Sequence, residues 1–151
     1  MAIRTARAIW EGNLRRGKGA IRSESGILKG NYSYTSRFED GKGTNPEELI
    51  GAGLAACYSM ALAGLLEQKG FPPKRIDTLA HVELGQDDSG PKINWIELET
   101  EADIPRIEER QFLEFADIAK RNCPVSKALS ATQIKLNARL IGAPVKVSVN
   151  A

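Results

Sequence analysis

The stretch that decides the fold is Gly43–Gly70, which reads GTNPEELIGAGLAACYSMALAGLLEQKG. Asn45 is a favourable N-cap, Pro46 suits the first helical position, and Glu48 stands where a capping-box partner is expected. The run closes with a glycine and, two residues later, a pair of prolines, which end a helix. The pattern predicts one helix over residues 46–69, roughly 36 Å long at about 1.5 Å per residue.

The middle of this predicted helix carries small residues on every side. They are Gly51, Ala52, Gly53, Ala55, Ala56, Ser59, Ala61, Ala63 and Gly64. Such a helix is expected to be covered all round, and three glycines at about 1 kcal/mol each indicate a packing requirement. The uncharged run between Leu49 and Leu66 is long enough by count to span a membrane. Its small residues and acidic entrance favour instead a buried helix of a soluble protein.

Alternating segments flank this helix on both sides. Before it, the pattern predicts three strands at Thr5–Glu11, Gly17–Ser25 and Ile27–Phe38. After it, Ile76–Gly85 and Lys92–Ile104 alternate around a turn-rich segment and predict a long hairpin. A sheet of this kind needs another element against its apolar face.

The last third of the chain returns to helices. Glu108–Asn122 has an amphipathic helical pattern, Pro124–Leu129 is expected to form a short second helix, and Ile134–Ile141 a final strand. The order of elements predicts an α+β fold with antiparallel β-sheets packed around the long central helix. A single domain over residues 1–151 is expected, with residues 142–151 as a C-terminal extension, either an edge strand or a loose end.

Composition narrows the class of protein. The 151 residues are 42% hydrophobic and 26% charged, which excludes general disorder. The 21 basic and 19 acidic residues are well mixed and leave a net charge of +2, so neither nucleic acid nor a membrane surface is an expected partner. The first residues hold charges among apolar ones, which argues against a signal peptide and favours a cytoplasmic location.

Two cysteines and one histidine limit the chemistry. Cys57 and Cys123 are too few for a disulfide scaffold, and with His81 alone they form no zinc-ligand cluster by spacing. Cys57 lies in the middle of the helix and needs a nearby cation to be reactive, whereas Cys123, before Pro124, lies at or near an N-cap where amides stabilise a thiolate. Taken alone, each cysteine is more often an inert core residue.

Two stretches together resemble a known family. SRFEDGKGTNPEELIGAGLAACYSMAL and RNCPVS are similar to the OsmC/Ohr family of osmotically inducible protein C and organic hydroperoxide resistance proteins, and the resemblance covers nearly the whole chain. The segment TSRFEDGKGTNPEEL places it nearer the osmotically inducible branch. The resemblance implies an intertwined homodimer with active sites at the interface. It also implies a peroxidase that reduces organic hydroperoxides, and hydrogen peroxide less well, without metal or bound cofactor.

The resemblance also assigns site residues. It implies that Cys57 is the peroxidatic cysteine and Cys123 the resolving one, and that the two form an intramolecular disulfide. Arg37 matches the arginine that stabilises the thiolate, and Glu47 the glutamate that pairs with it. A dithiol must then reopen the disulfide, and in the hydroperoxide-specific branch dihydrolipoyl groups do so.

The residues leave alternatives open. Arg15 or Arg16 is the rival to Arg37, which as a lone residue would more often be a solvated charge at a strand end, and Glu47 can be a plain first-turn acid. Glu47 and Cys57 are ten residues apart, about 15 Å along a helix, so Arg37 must bridge part of that gap or a second subunit must supply one member. This spacing favours a homodimer.

Two other functions fit the same residues. A non-catalytic dimeric protein that binds an apolar ligand would have unreactive cysteines. A thiol redox sensor would form the disulfide without fast turnover.

Overall fold

The computed structural model describes residues 1–142, so the extension expected at residues 142–151 lies almost wholly outside the described residues. The chain forms two compact units, Met1–Leu49 and Ile50–Ala151, which are described in turn. The long helix, residues Pro46–Gln68, begins in the first unit and continues in the second.

The first unit opens with the predicted three-stranded meander. Strands β1 (Ala6–Glu11), β2 (Lys18–Ser23) and β3 (Lys29–Tyr32) pair antiparallel in chain order. Gly19 lies opposite both Trp10 and Tyr32, whose ring centroids are 5.5 Å apart. A side chain at Gly19 would collide with these rings, which explains the glycine.

The strand predicted over Ile27–Phe38 is wrong beyond Tyr32, because Tyr34–Phe38 forms a short helix, α1. Ser33 caps it: the Ser36 amide donates to Ser33 Oγ at 3.1 Å, and the Ser33 amide donates to Ser36 Oγ at 2.9 Å. Tyrosine and serine alternate here with the two-residue period that is typical of a strand. Serine hydroxyls bond to nearby backbone groups, and here that favoured a helix start.

The long helix, α2, begins and ends as predicted. The Glu48 amide donates to Asn45 Oδ1 at 2.8 Å, which confirms Asn45 as N-cap. The Glu48 carboxylate accepts from Thr44 Oγ1 at 2.6 Å, so only half of the predicted capping box forms. At the other end, Gly70 has a φ of +89°, a left-handed conformation that suits glycine after a helix.

The second unit contains the predicted hairpin and a parallel addition. Strands β4 (Arg75–Asp87) and β5 (Gly90–Asp103) pair antiparallel, which confirms the hairpin. Strand β6 (Gln133–Ile141) pairs parallel with β5, so this sheet is mixed. The chain between them forms helices α3 (Glu109–Asn122) and α4 (Pro124–Ala128), the kind of crossover that a parallel pair requires.

The core of the second unit is built from α2, α3 and the sheet. Helix α2 contributes Leu54, Tyr58, Leu62 and Leu66, all fully buried and four residues apart. They share one cluster with buried apolar residues of β5 and α3, including Ile96, Leu98, Phe112, Ala116 and Ala119. The helix is long and apolar enough to cross a membrane by length and composition, and one of its faces packs into this core.

The prediction that α2 is covered all round is wrong for the chain by itself. One side is exposed, and its residues are small or apolar: Ala52, Gly53, Ala56, Met60 and Gly64. Of the three helical glycines, only Gly51 meets a close neighbour, since an added Cβ would lie 3.3 Å from a Val82 methyl. Gly53 and Gly64 have open space beside them. The packing requirement predicted from the glycines therefore holds within the chain only for Gly51.

Candidate active site

In the first unit the structure brings Arg37 and Glu47 together. The Arg37 guanidinium donates from Nη2 to Glu47 Oε1 at 2.8 Å and from Nε to the same oxygen at 3.2 Å. Glu47 is 6% exposed, whereas the Arg37 side chain is 37% exposed. A buried carboxylate needs such a partner, and the planar fork of arginine supplies charge and direction at once.

The segment between α1 and α2 positions this pair. Ser36 Oγ donates to the Thr44 carbonyl at 2.7 Å, and Asn45 Nδ2 donates to the Ser36 carbonyl at 3.3 Å. These bonds hold the last turn of α1, which carries Arg37, against the first turn of α2, which carries Glu47. The outer part of the guanidinium remains open to a further partner.

Of the two rival arginines, one makes a contact through its side chain and the other through its backbone amide. The Arg15 guanidinium lies over the Tyr34 ring, 4.7 Å from its centroid. The Arg16 amide donates to Asn13 Oδ1 at 2.8 Å, in a turn before β2. Within residues 1–142, Arg37 is the one of the three that is paired with a buried carboxylate.

In the second unit the structure brings Cys57 and Cys123 together, although they are far apart in the sequence. Both thiols are free; Cys57 is half-buried in the middle of α2, and Cys123 is fully buried between α3 and α4. The two residues lie close enough for each thiol to shift the pKa of the other. The two thiols are therefore placed to react with each other once either is oxidised.

The packing of α2 explains this juxtaposition. The Tyr58 hydroxyl donates to the Ala116 carbonyl of α3 at 3.3 Å, and burial raises the pKa of this phenol. On another side, the Ser59 and Thr78 hydroxyls are 2.7 Å apart and join α2 to β4. With α2 held on both sides, Cys57 faces the end of α3, where Cys123 follows.

The two thiols have opposite pKa shifts. Burial raises the pKa of Cys57, and its hydrogen bond to Cys123 raises it further, against a lowering by the Val125 amide. Burial also acts to raise the pKa of Cys123, but the nearby donor groups of Cys57, Ser126 and Val125 outweigh it and lower this pKa below its ordinary value. Within the second unit, a negative charge is therefore favoured on Cys123 over Cys57.

Cys123 is both the C-cap of α3 and the N-cap of α4. Its amide donates to the Ala119 carbonyl at 2.9 Å and so closes α3, while the same residue is the N-cap of α4, with Pro124 in the first helical position. This confirms the predicted place of Cys123 at a helix start. Its side chain makes no capping hydrogen bond.

Sequence reasoning missed Ser126. This residue is 7% exposed, and its Oγ has no hydrogen-bond partner among residues 1–142. A signal was present, because Cys123 and Ser126 have the spacing of an N-cap and its N3 partner.

Sequence reasoning also missed a cross-strand group on the outer face of the second sheet. His81 lies opposite Glu97, and its Nε2 is 3.4 Å from Glu99 Oε1; ligand atoms of all three lie within 4.8 Å of one another. His81 and Glu99 are about half exposed. Three ligands open to water do not form the closed four-ligand shell of a structural zinc site.

Comparison with known proteins finds relatives of one kind over most of the chain. A family model described as OsmC-like protein matches residues 39–139. Peroxiredoxin OsmC of Escherichia coli (strain K12) is 49% identical over 125 residues, which cover 82% of this chain and 87% of the relative. An organic hydroperoxide resistance protein-like protein of Staphylococcus aureus (strain USA300) is 30% identical over 104 residues, which cover 68% and 74%.

Solved structures share the fold. The organic hydroperoxide resistance protein OhrB of Bacillus subtilis superposes with a TM-score of 0.64 at 25% identity, covering 91% of this chain and 98% of its own. An OsmC-like protein from Mycoplasma pneumoniae reaches a TM-score of 0.73 at 19% identity, covering 93% and 99%. These neighbours confirm the predicted α+β class, with two small sheets and a long helix.

Proposed function

The chain belongs to the OsmC-like protein family, and on that premise we propose that it is a thiol-dependent peroxidase that reduces organic hydroperoxides to alcohols, and hydrogen peroxide less well. A peroxide-related redox function follows from the family and from the peroxiredoxin and hydroperoxide-resistance names of its relatives. The observation that carries the finer proposal is the pair of free thiols, Cys57 and Cys123, in contact within the second unit.

In the first step the Cys57 thiolate attacks the distal oxygen of the hydroperoxide. A sulfur–oxygen bond forms, the oxygen–oxygen bond breaks, and the alkoxide leaves and takes up a proton to become the alcohol. Cys57 is oxidised to a sulfenic acid, and the hydroperoxide is reduced. Exposed apolar residues of α2, Met60 among them, would suit the organic part of such a substrate.

In the second step the Cys123 thiolate attacks the Cys57 sulfenic sulfur. A disulfide forms and hydroxide leaves as water after protonation, which protects Cys57 from further oxidation. A dithiol reductant then reduces the disulfide by exchange, and both thiols return. The chemical class of dihydrolipoyl groups fits this reductant.

The first step requires a cation, because the second unit by itself keeps the proton on Cys57. Arg37 is our candidate: it cannot lose its own proton, its bond to Glu47 fixes its plane, and it can also stabilise charge on the leaving oxygen. Glu47 acts as the residue that orients it.

A homodimer with active sites at the interface completes the proposal. The uncovered side of α2 presents small and apolar residues, which a second copy would bury. Glu47 and Cys57 lie ten residues apart on one unbroken helix, so a second copy can also bring a guanidinium to a thiol that its own helix keeps distant. We further propose that the protein acts in the cytoplasm without bound metal or cofactor.

The test is a single turnover with fully reduced protein. One equivalent of cumene hydroperoxide or of hydrogen peroxide is mixed in, and free thiols and protein mass are followed by rapid quenching. We expect both thiols to be lost with the mass change of one disulfide, faster with the organic peroxide. Thiols that react no faster than free cysteine would contradict the proposal and leave a dimeric protein that binds an apolar ligand. Slow disulfide formation without catalytic turnover would favour a redox sensor.

A further inference from the structure

Helices α1 and α4 begin with the same pair of positions but satisfy them differently. In α1, Ser33 at the N-cap and Ser36 at N3 exchange two hydrogen bonds, and Ser36 Oγ donates a third to the Thr44 carbonyl. In α4 the corresponding residues are Cys123 and Ser126, and no side-chain capping bond forms.

The reason lies in the Cys123 amide. In a capping box the N3 side chain accepts the N-cap amide proton, but Cys123 already donates that proton to the Ala119 carbonyl of α3 at 2.9 Å. Ser126 Oγ is thereby left buried and without a partner among residues 1–142. Buried hydroxyls in folded proteins are nearly always hydrogen-bonded, so this exception calls for a function.

We infer that Ser126 serves the resolving step, by donating a hydrogen bond from its hydroxyl to Cys123 Sγ when that sulfur is a thiolate. The inference rests on the proposed function, whose second step needs that thiolate. Ser126 keeps its proton throughout: the electron pair of Cys123 attacks the Cys57 sulfenic sulfur, the disulfide forms and hydroxide leaves. The hydroxyl holds the charge on Cys123 until the attack.

The chemistry of sulfur explains why the Ser126 hydroxyl has no hydrogen-bond partner among residues 1–142 in the reduced protein. A protonated thiol is a weak acceptor, whereas a thiolate accepts charge-assisted hydrogen bonds. Ser126 is the N3 residue of α4, and a side chain at N3 reaches back toward the N-cap residue, here Cys123. In keeping with this, the Ser126 amide and hydroxyl are among the groups that lower the pKa of Cys123.

The first test needs no peroxide. In full-length protein carrying Cys57→Ser, the Cys123 thiolate is titrated by its ultraviolet absorbance, with and without Ser126→Ala. We expect Ser126→Ala to raise the midpoint by about one pH unit, the size of one charge-assisted hydrogen bond, and Ser126→Thr to restore it. Ser130→Ala, an equal change just after α4 at an exposed position, is the matched control. An unchanged midpoint in Ser126→Ala would overturn the inference.

The second test uses the protein with both thiols and separates the two steps in one turnover. Ser126→Ala should form the sulfenic acid at the wild-type rate but the disulfide about tenfold more slowly near neutral pH, with the difference vanishing once Cys123 is fully ionised. Equal slowing of both steps would indicate a structural role and overturn the inference. If the wild-type chain forms neither species, the proposed function fails, while a raised midpoint in the titration still supports the contact between Ser126 and Cys123.

The melting temperature of the reduced Ser126→Ala protein separates a role of Ser126 in the reaction from a purely structural role. Removal of a buried, unpaired hydroxyl should leave the fold intact or stabilise it slightly, because no hydrogen bond is lost. Slower disulfide formation in a protein that melts no earlier than the wild type supports a role in the reaction. A clear drop in melting temperature would mean that Ser126 has a structural partner, and would count against the inference.

Discussion

Two residue pairs, Arg37–Glu47 in the first unit and Cys57–Cys123 in the second, differ in what holds them. The first is an ion pair with a two-nitrogen hydrogen bond to a nearly buried carboxylate. The second is a contact between two buried or half-buried thiols, held by the packing of α2 against α3. The first pair has fixed charge and no group that can be oxidised to a disulfide; the second has two thiols that can be oxidised and no fixed charge.

The difference teaches that neither pair is sufficient. In the second unit alone, burial and hydrogen bonds favour the charge on Cys123 and leave Cys57 protonated. A peroxidatic Cys57 needs the reverse, and the proposed source of that reversal is the guanidinium that Glu47 orients.

The largest expected effect on peroxide reduction comes from substituting either cysteine of the thiol pair. Cys57→Ser should lower peroxide reduction by about a thousandfold or more, because the nucleophile itself is removed. Cys123→Ser should retain the first step, stop after one turnover and accumulate a protein heavier by one oxygen. Single-turnover mass spectrometry distinguishes the two variants. If Cys123→Ser abolishes the first step and Cys57→Ser retains it, the assigned roles are reversed.

The next largest effect is expected from removing the arginine of the Arg37–Glu47 ion pair. Arg37→Met should slow sulfenic acid formation about a hundredfold, through the loss of charge stabilisation at the thiolate and the leaving oxygen. It should also lower the free energy of unfolding by about 1–3 kcal/mol, because Glu47 is left buried without its partner. Stopped-flow kinetics and urea unfolding measure the two effects.

Arg15→Met is the matched control for this change. Arg15 lies over the Tyr34 ring and has a surface role in the structure, so its loss should leave the rate within about twofold. A larger rate loss in Arg15→Met than in Arg37→Met would make Arg15 the residue that faces the thiolate.

A smaller effect concerns pH and separates the two thiols. With Cys57 alone, in Cys123→Ser, the folded pKa is raised by burial, so stability is constant below the ordinary thiol pKa of about 8.5 and falls as pH rises beyond it. With Cys123 alone, in Cys57→Ser, the new hydroxyl can donate in place of the Cys57 thiol, so we expect it, with the donors of Ser126 and Val125, to keep the folded pKa of Cys123 lowered. Stability then rises with pH up to about 8.5 and is lost as pH falls through the folded pKa.

Urea midpoints of the two reduced variants, measured from pH 6 to pH 10, check these opposite slopes. Parallel curves would mean that the two thiols share one environment, which would contradict the asymmetry between Cys57 and Cys123.

The smallest effect compares two neighbours in the first turn of α2. Glu48 is exposed and accepts from Thr44, so Glu48→Gln should change the free energy of unfolding by less than about 0.5 kcal/mol and leave turnover unchanged. Glu47→Gln should cost about 1–2 kcal/mol and slow sulfenic acid formation, because the charge that orients Arg37 is lost. Equal effects of the two changes would reduce Glu47 to an ordinary first-turn acid.

Features set by local chemistry could be predicted from the sequence. The bounds of α2 follow from Asn45, Pro46 and Gly70, and the hairpin of β4 and β5 from alternation around a turn. These signals depend on neighbours within a few residues, so the printed order of residues contains them.

The prediction was wrong where two local signals, a strand-like alternation and serine capping groups, fell on the same residues. The alternating residues after Tyr32 read as a strand, but the hydroxyls of Ser33 and Ser36 bond the backbone of a short helix instead. Likewise, nothing in Gln133–Ile141 indicates that it pairs parallel to β5, because the direction of a strand depends on how the crossover returns.

From the sequence alone we could name the candidate residues: two cysteines, an arginine before the long helix and a glutamate in its first turn. Only the tertiary structure decided that the two sulfurs meet, that Glu47 rather than Glu48 holds Arg37, and that Ser126 is buried without a partner. The physical reason is that burial and hydrogen bonds set the charge of a thiol or a carboxylate, and both arise from contacts between residues that the sequence keeps apart.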